Sequence, residues 1–127
     1  MAKKKKTLGK LKQETQKVFN AWIRQRDEGL PCISCGKHKL LQAGHYFAVG
    51  GYDGLRFDPD NVHGECAGCN CFNESHLIGY GINLKARIGK VRRDNLLERA
   101  AEYKKNGYKF SRSELQEIKE KYQSKLK

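Results

Sequence analysis

Residues 61–70 read NVHGECAGCN, from Asn61 to Asn70, and the reading of this stretch decides the fold. It contains a Cys-x-x-Cys pair, Cys66 and Cys69, with Asn70 directly after the second Cys. Upstream, PCISCG carries a matching pair, Cys32 and Cys35, and between the pairs QAGHYF carries His45. A two-residue gap lets both sulfurs of such a knuckle approach one ion at about 2.3 Å without strain. Two knuckles close a tetrahedron and leave no open position, so Cys32, Cys35, Cys66 and Cys69 read as a structural Zn²⁺ site. The plainer alternative is four ordinary buried thiols. Cys71 is left over; it is the alternative to Cys69 as a ligand, and otherwise is expected to be a buried apolar thiol. The 30 residues between Cys35 and Cys66 exceed the loop of a simple zinc ribbon, so something folded must fill it.

Working outward, residues 1–7 read as a disordered basic tail and 8–127 as one domain. Leu11, Val18, Phe19, Trp22 and Ile23 fall mostly on one helical face, which predicts a helix over 8–30 that Gly29 caps and Pro31 stops. Residues 31–80 read as a zinc-clamped core of short strands and turns: KLLQAGHYFAV as a hairpin arm, GGYDG as a loop, LRF as a brief strand and DPDN as a turn. Residues 81–127 read as a basic helical region. There Leu96, Leu97, Ala100 and Ala101 have helical spacing, Ser111 and Glu114 offer a capping box, and Leu115, Ile118, Tyr122 and Leu126 form a stripe. That stripe suits packing on the core or on a partner chain. The fold class is α+β.

The formal net charge is +12 in 127 residues. It is unevenly spread: residues 1–31 carry +6, 32–81 carry −2 and 82–127 carry +8. Basic flanks around a slightly acidic Cys-bearing centre suit a phosphate backbone, where each neutralised phosphate releases counterions; a merely solvated surface is the plain alternative. No apolar run approaches the roughly 20 residues needed to span a bilayer. The basic start MAKKKK has no apolar segment behind it, so it is not a secretory signal. We expect a cytoplasmic protein with no membrane partner.

A lone His on a strand is usually a packed residue, and an Asn after a turn is unremarkable. The order knuckle, His45, Asn61, knuckle, Asn70 is more specific. It resembles the His-Asn-His (HNH) or ββα-metal nucleases, here as a His-Asn-Asn variant clamped by zinc in the manner of endonuclease VII. More of the chain is covered by a second likeness. NAWIRQRDEGLPCISCG, AGHY, LRFDPDNVHGECAGCN and IGYGINLKARIG are similar to the NinG/Rap family of lambdoid phage recombination endonucleases, from about Lys17 to Gly89. This implies a small ββα-metal core clamped by the four-Cys zinc site, flanked by N- and C-terminal helices. It also implies cleavage of branched DNA such as Holliday junctions and D-loops, in the cytoplasm of a bacterial host.

In that reading His45 is the general base, because a neutral imidazole can take a proton from water near pH 7. Asn70 gives a hard oxygen donor to Mg²⁺ or Mn²⁺, and Asn61 holds the hairpin loop so that His45 points correctly. Many relatives place an Asp ligand just before the catalytic His; here that position is Gly44. Asn73, at i+3 from Asn70, is the first substitute, then Glu74, His76, His63 and Asp53. His63 otherwise reads as a strand residue near the phosphate, and His38 as a surface loop residue. Lys3, Lys4, Lys5, Lys6, Lys85, Arg87, Lys90, Arg92 and Arg93 are the expected phosphate contacts. Tyr46, Phe47 and Tyr52 read as core aromatics, with base stacking as the alternative. Matched cuts on a four-way junction call for a homodimer, for which the 115–126 stripe is a candidate face. The competing functions are a non-catalytic zinc-knuckle nucleic-acid-binding module and a nuclease of the same class that reads duplex sequence.

Overall fold

The computed structural model describes residues 5–73 and 75–127. Lys3 and Lys4 of the expected basic tail, and the candidate ligand Glu74, lie outside the described residues. The first helix, α1, spans Leu8–Arg26. Thr7 starts it: its side-chain oxygen accepts from the Lys10 N–H at 3.1 Å, satisfying one of the amides that the first turn leaves unpaired. Lys6, in the segment expected as a tail, reaches Glu14 at 2.7 Å.

Leu11, Thr15, Phe19 and Ile23 recur every four residues and form the buried stripe of α1. The helix ends four residues before the expected boundary, because Asp27 turns inward. Only 2% exposed, Asp27 accepts from the Gly64 N–H at 2.7 Å and from Arg26 Nε at 2.7 Å. Arg26 in turn donates to the carbonyls of Pro59 and Val62. Gly29 is therefore not the cap; it takes a left-handed φ of 84° in the turn beyond.

Two antiparallel strands follow, β1 (Leu41–His45) and β2 (Val62–Cys66), with His45 opposite Val62 and Gly44 opposite His63. Only five residues of the long apolar arm are strand, and LRF is no strand: Leu55 ends a 3-10 turn, Asp53–Leu55, and Arg56 and Phe57 lie in the turn after it. A short helix α2 (Ala67–Phe72) leaves β2 directly, then α3 (His76–Ile88), α4 (Lys90–Asn106) and α5 (Arg112–Lys125).

Every residue of β2 is buried because both faces of the strand pair are covered. On one side, Val62 and Phe57 join Leu11, Phe19 and Ile23 of α1 and Leu115 and Tyr122 of α5. Ile33, Leu55, Tyr80, Leu84, Ile88, Leu96 and Ala100 form a second cluster, built largely from α3 and α4. Tyr80 of α3 ties the second cluster to the sheet, donating to the carbonyl of Gly44 in β1 at 2.6 Å. α5 runs beside α1 in the same direction: Thr15 donates to the Leu115 carbonyl and Gln25 to that of Lys125. The 115–126 stripe is thus packed within the chain, with the Phe19 and Tyr122 rings 4.8 Å apart, and it is not a free dimer face. No helix among the described residues is long and apolar enough to cross a membrane.

Candidate active site and metal centre

The first knuckle lies in the turn before β1, and the second joins β2 to α2. Strand pairing places them together: Leu41, just after the first, faces Cys66 across the sheet. The four sulfurs of Cys32, Cys35, Cys66 and Cys69 all lie within 4.8 Å of one another. Cys35 and Cys66 are 3.9 Å apart, close to the edge of roughly 3.8 Å of a tetrahedron with metal–sulfur bonds of about 2.3 Å. The donor set therefore fits a metal such as zinc. Burial raises the Cys32 pKa, but N–H groups of Cys35, Cys66 and Ser34 directed at its sulfur outweigh that and bring it down to about 7. Burial pushes the Cys69 thiol up.

Cys71 is exposed rather than buried. Two positions past Cys69 on a helix is a rotation of about 200°, so it faces away from the cluster. It donates weakly to Gln42 at 3.5 Å.

His45 is the last residue of β1, where the strand gives way to the long loop. Its Nε2 lies 3.0 Å from the Arg56 carbonyl. A carbonyl can only accept, so Nε2 carries the proton and Nδ1 is the bare nitrogen. Burial depresses the pKa of His45 below the usual histidine range, outweighing the Arg56 carbonyl, which acts in the opposite sense. The ring is neutral at pH 7.

Asn61 is wholly buried and stitches the loop shut. Its side chain accepts from the Phe47 N–H at 2.8 Å and donates to the carbonyls of Phe47 and Leu55 at 3.1 and 3.2 Å. Those bonds fix both ends of the segment between β1 and the 3-10 turn, and so the start of the loop that follows His45.

A cleft of about 720 Å³ opens beside β1. Ala43 and His45 line it from the strand, and Ala48, Val49 and Arg56 from the loop; Asn70 and His76 form one wall. The polar face of α1 also lines it, with Gln13, Gln16, Lys17, Asn20 and Arg24. His45 and Asn70 thus share one cavity. Asn70 donates to Gln42 at 2.9 Å, which occupies its amide nitrogen.

Asn73 does not join them. The helix ends at Phe72, and Asn73 is extended (φ −113°, ψ 103°), so the i, i+3 relation fails; its side chain accepts from the Ser75 N–H instead. His63 is 2% exposed, against Tyr80 on the α3 side of the sheet, and does not reach a surface phosphate. Asp53 is paired with Lys12 and Arg56. Tyr46, Phe47 and Tyr52 pack on the α3–α4 core. His38 is exposed in a separate groove with Leu40.

Of the basic residues expected to meet phosphate, Lys5 and Lys85 are exposed. Lys90 and Arg93 pair with Asp94, and Arg92 with Asp60. Arg87 donates to the Pro31 carbonyl. The cations that line the cleft are Lys17, Arg24 and Arg56, none of which the motif pointed to. A signal was present: 13, 16, 17, 20 and 24 repeat at helical spacing, opposite the apolar stripe.

Comparison with known proteins places this architecture. The family described as NinG, Bacteriophage Lambda NinG protein, matches over residues 1–127. The protein ninG of Escherichia phage 933W is 39% identical over 117 residues, which is 91% of this chain and 56% of that protein. Those of Escherichia phage lambda and Salmonella phage P22 are each 38% identical over 117 residues, 91% of this chain and 55% of theirs. The chain spans about half the length of these curated relatives. No solved structure matches it. A four-cysteine centre beside a histidine cleft, on an α+β frame with a two-stranded sheet, is in this case the fold of a phage protein, and the chain belongs to the NinG family.

Proposed function

We propose that this chain is a structure-selective, metal-dependent DNA endonuclease of the HNH type. It cleaves branched recombination intermediates such as Holliday junctions and D-loops in the cytoplasm of a bacterial host. The observation that carries this reading is His45: a neutral ring, its Nε2 tied to the Arg56 carbonyl, in the same cleft as Asn70, Lys17 and Arg24. A module that only binds nucleic acid has no need of a part-buried imidazole with one nitrogen held and the other bare.

The residues divide the work of phosphodiester hydrolysis. His45 Nδ1 accepts a proton from water as the water oxygen bonds to phosphorus and the 3′ oxygen departs. Lys17 and Arg24 offset charge on the phosphate from the α1 wall. Asn61 keeps the loop, and with it the Arg56 carbonyl, in register with the ring. Asn70 offers its amide oxygen to a divalent ion, Mg²⁺ or Mn²⁺, which when bound would neutralise the phosphate and stabilise the leaving oxygen. Zinc on the four cysteines is structural. Two matched cuts would suit a homodimer; since the α5 stripe is spent on α1, the dimer must use another surface.

The test incubates the protein with linear duplex, flap and four-way junction DNA, with Mg²⁺ or Mn²⁺ and with EDTA. Metal-dependent nicking confined to branches is expected. Equal cutting at a defined duplex sequence replaces branch selectivity with sequence reading, and binding without cleavage reduces the protein to a binding module. His45→Ala should lower cleavage at least about 100-fold while junction binding in a gel shift is unchanged. Retained cutting removes His45 as the base.

A further inference from the structure

Glu65 of β2 is 0% exposed. A buried carboxylate is costly unless its oxygens are met. Its Oε2 accepts from Ser34 Oγ and from His76 Nδ1, the latter at 2.6 Å. Its Oε1 has no hydrogen-bond partner among the described residues. The group stands hard against Gly44: a Cβ built there would fall 2.8 Å from the Glu65 Cβ and closer still to Oε1. Residue 44 therefore has no room for a side chain: the space on its face of the sheet, which is the face of His63 and not that of His45, belongs to Glu65.

His76 is the outward end of this arrangement. It lines the cleft with His45 and Asn70, and its side chain is 18% exposed. Because Nδ1 is held by Glu65, Nε2 is the nitrogen left to face a ligand. A carboxylate on one imidazole nitrogen is the usual support of a metal-bound histidine: it fixes the tautomer, aims the ring and raises its basicity. On the same wall, Asn70 has its amide nitrogen engaged by Gln42, leaving its oxygen.

We infer that His76, held by Glu65, is a second ligand of the divalent ion at Asn70, and that this nitrogen donor turns the site toward Mn²⁺ and away from Mg²⁺. Mn²⁺ shares the oxygen preference of Mg²⁺ but, as a first-row transition ion, also accepts an imidazole nitrogen, whereas Mg²⁺ takes oxygen donors almost exclusively. The inference rests on the nuclease reading above. A latch that merely pins α3 to β2 would need the Glu65–His76 bond, but it would not need His76 in the cleft with its second nitrogen available.

The experiment titrates Mn²⁺ into the zinc-loaded protein without DNA and reads free Mn²⁺ by electron paramagnetic resonance. His76→Ala should weaken binding at least about tenfold, and Glu65→Gln by about 10-fold or more, as loss of a ligand's support does. His76→Asn, which supplies an amide oxygen, should recover binding and narrow the preference for Mn²⁺ over Mg²⁺. In the unaltered protein, Mn²⁺ should broaden the ring resonances of His76 and leave those of His38 sharp, which decides the matter even if a variant fails to fold. Unchanged affinity in a folded His76→Ala protein, or a His76 ring that stays sharp, overturns the inference. If the parent still nicks junctions, the nuclease reading survives that failure. A parent that binds Mn²⁺ through His76 yet cuts no DNA keeps the site and removes the nuclease.

Discussion

Two histidines on this small sheet have opposite assignments because one residue of strand register separates their surroundings. His45 faces the cleft; His63, opposite Gly44, points to Tyr80. Burial, with Arg26 nearby, holds the His63 imidazole down at about 3, far below the roughly 6.5 of an unfolded chain. The fold therefore requires a neutral ring. Its contribution to stability is complete above about pH 6.5 and is lost as pH falls from there toward 3, because the unfolded chain takes up the proton first. Between pH 7 and 5 the parent should lose about 2 kcal/mol more than His63→Gln. Urea midpoints at the two pH values check this, since acid effects on the thiolates are common to both proteins. Asn61 makes a second prediction at this scale. Replacing it with Ala strips three hydrogen bonds from backbone groups that are buried or partly buried and should cost about 3 kcal/mol. Junction cleavage should fall with it at a temperature where the variant is still folded.

At the scale of elements, α1 does two jobs with two faces. Its apolar stripe is the floor of the main core, and its polar face is a wall of the cleft. α5 keeps it in place, through Leu115 and Tyr122 and the bonds from Thr15 and Gln25. Leu115→Ala should therefore cost about 2–5 kcal/mol by cavity formation while the mass from light scattering stays that of the parent. A change of oligomeric state with unchanged stability would return this stripe to a partner surface. The sequence was legible in part here. The spacing of Leu115, Ile118, Tyr122 and Leu126 showed a stripe but not what it covers, because periodicity reports only that a face is buried. The end of α1 was misread because Gly29 and Pro31 are ordinary stop signals. The actual stop, Asp27, depends on an amide at residue 64, which local spacing cannot reveal.

For the whole molecule, the four-cysteine centre is what joins the β1 side of the fold to β2 and α2. A bound structural metal contributes folding free energy directly. Cys66→Ser, or prolonged chelation, should abolish the cooperative melting transition and release the metal. Cys71→Ser should leave metal content and melting unchanged, because that thiol points away from the cluster. A Cys66→Ser protein that melts like the parent would end the four-thiol assignment.

Each Cys-x-x-Cys pair was legible in the sequence, because two residues between cysteines leave the chain few ways to arrange their sulfurs; that the two pairs form one cluster able to hold a metal is the work of strand pairing. The order of His45, Asn61 and Asn70 was legible for a similar reason, each lying at a strand or helix end marked by turns and knuckles. The cleft was not. Its walls come from residue 13 through residue 76, and only packing of α1 on the sheet brings Lys17 and Arg24 into one cavity with Asn70 and His76. The bond between Glu65 and His76, and the lack of room at Gly44, also belong to the tertiary structure alone. They arise where β2, the first knuckle and the start of α3 meet, and no spacing along the chain encodes that meeting.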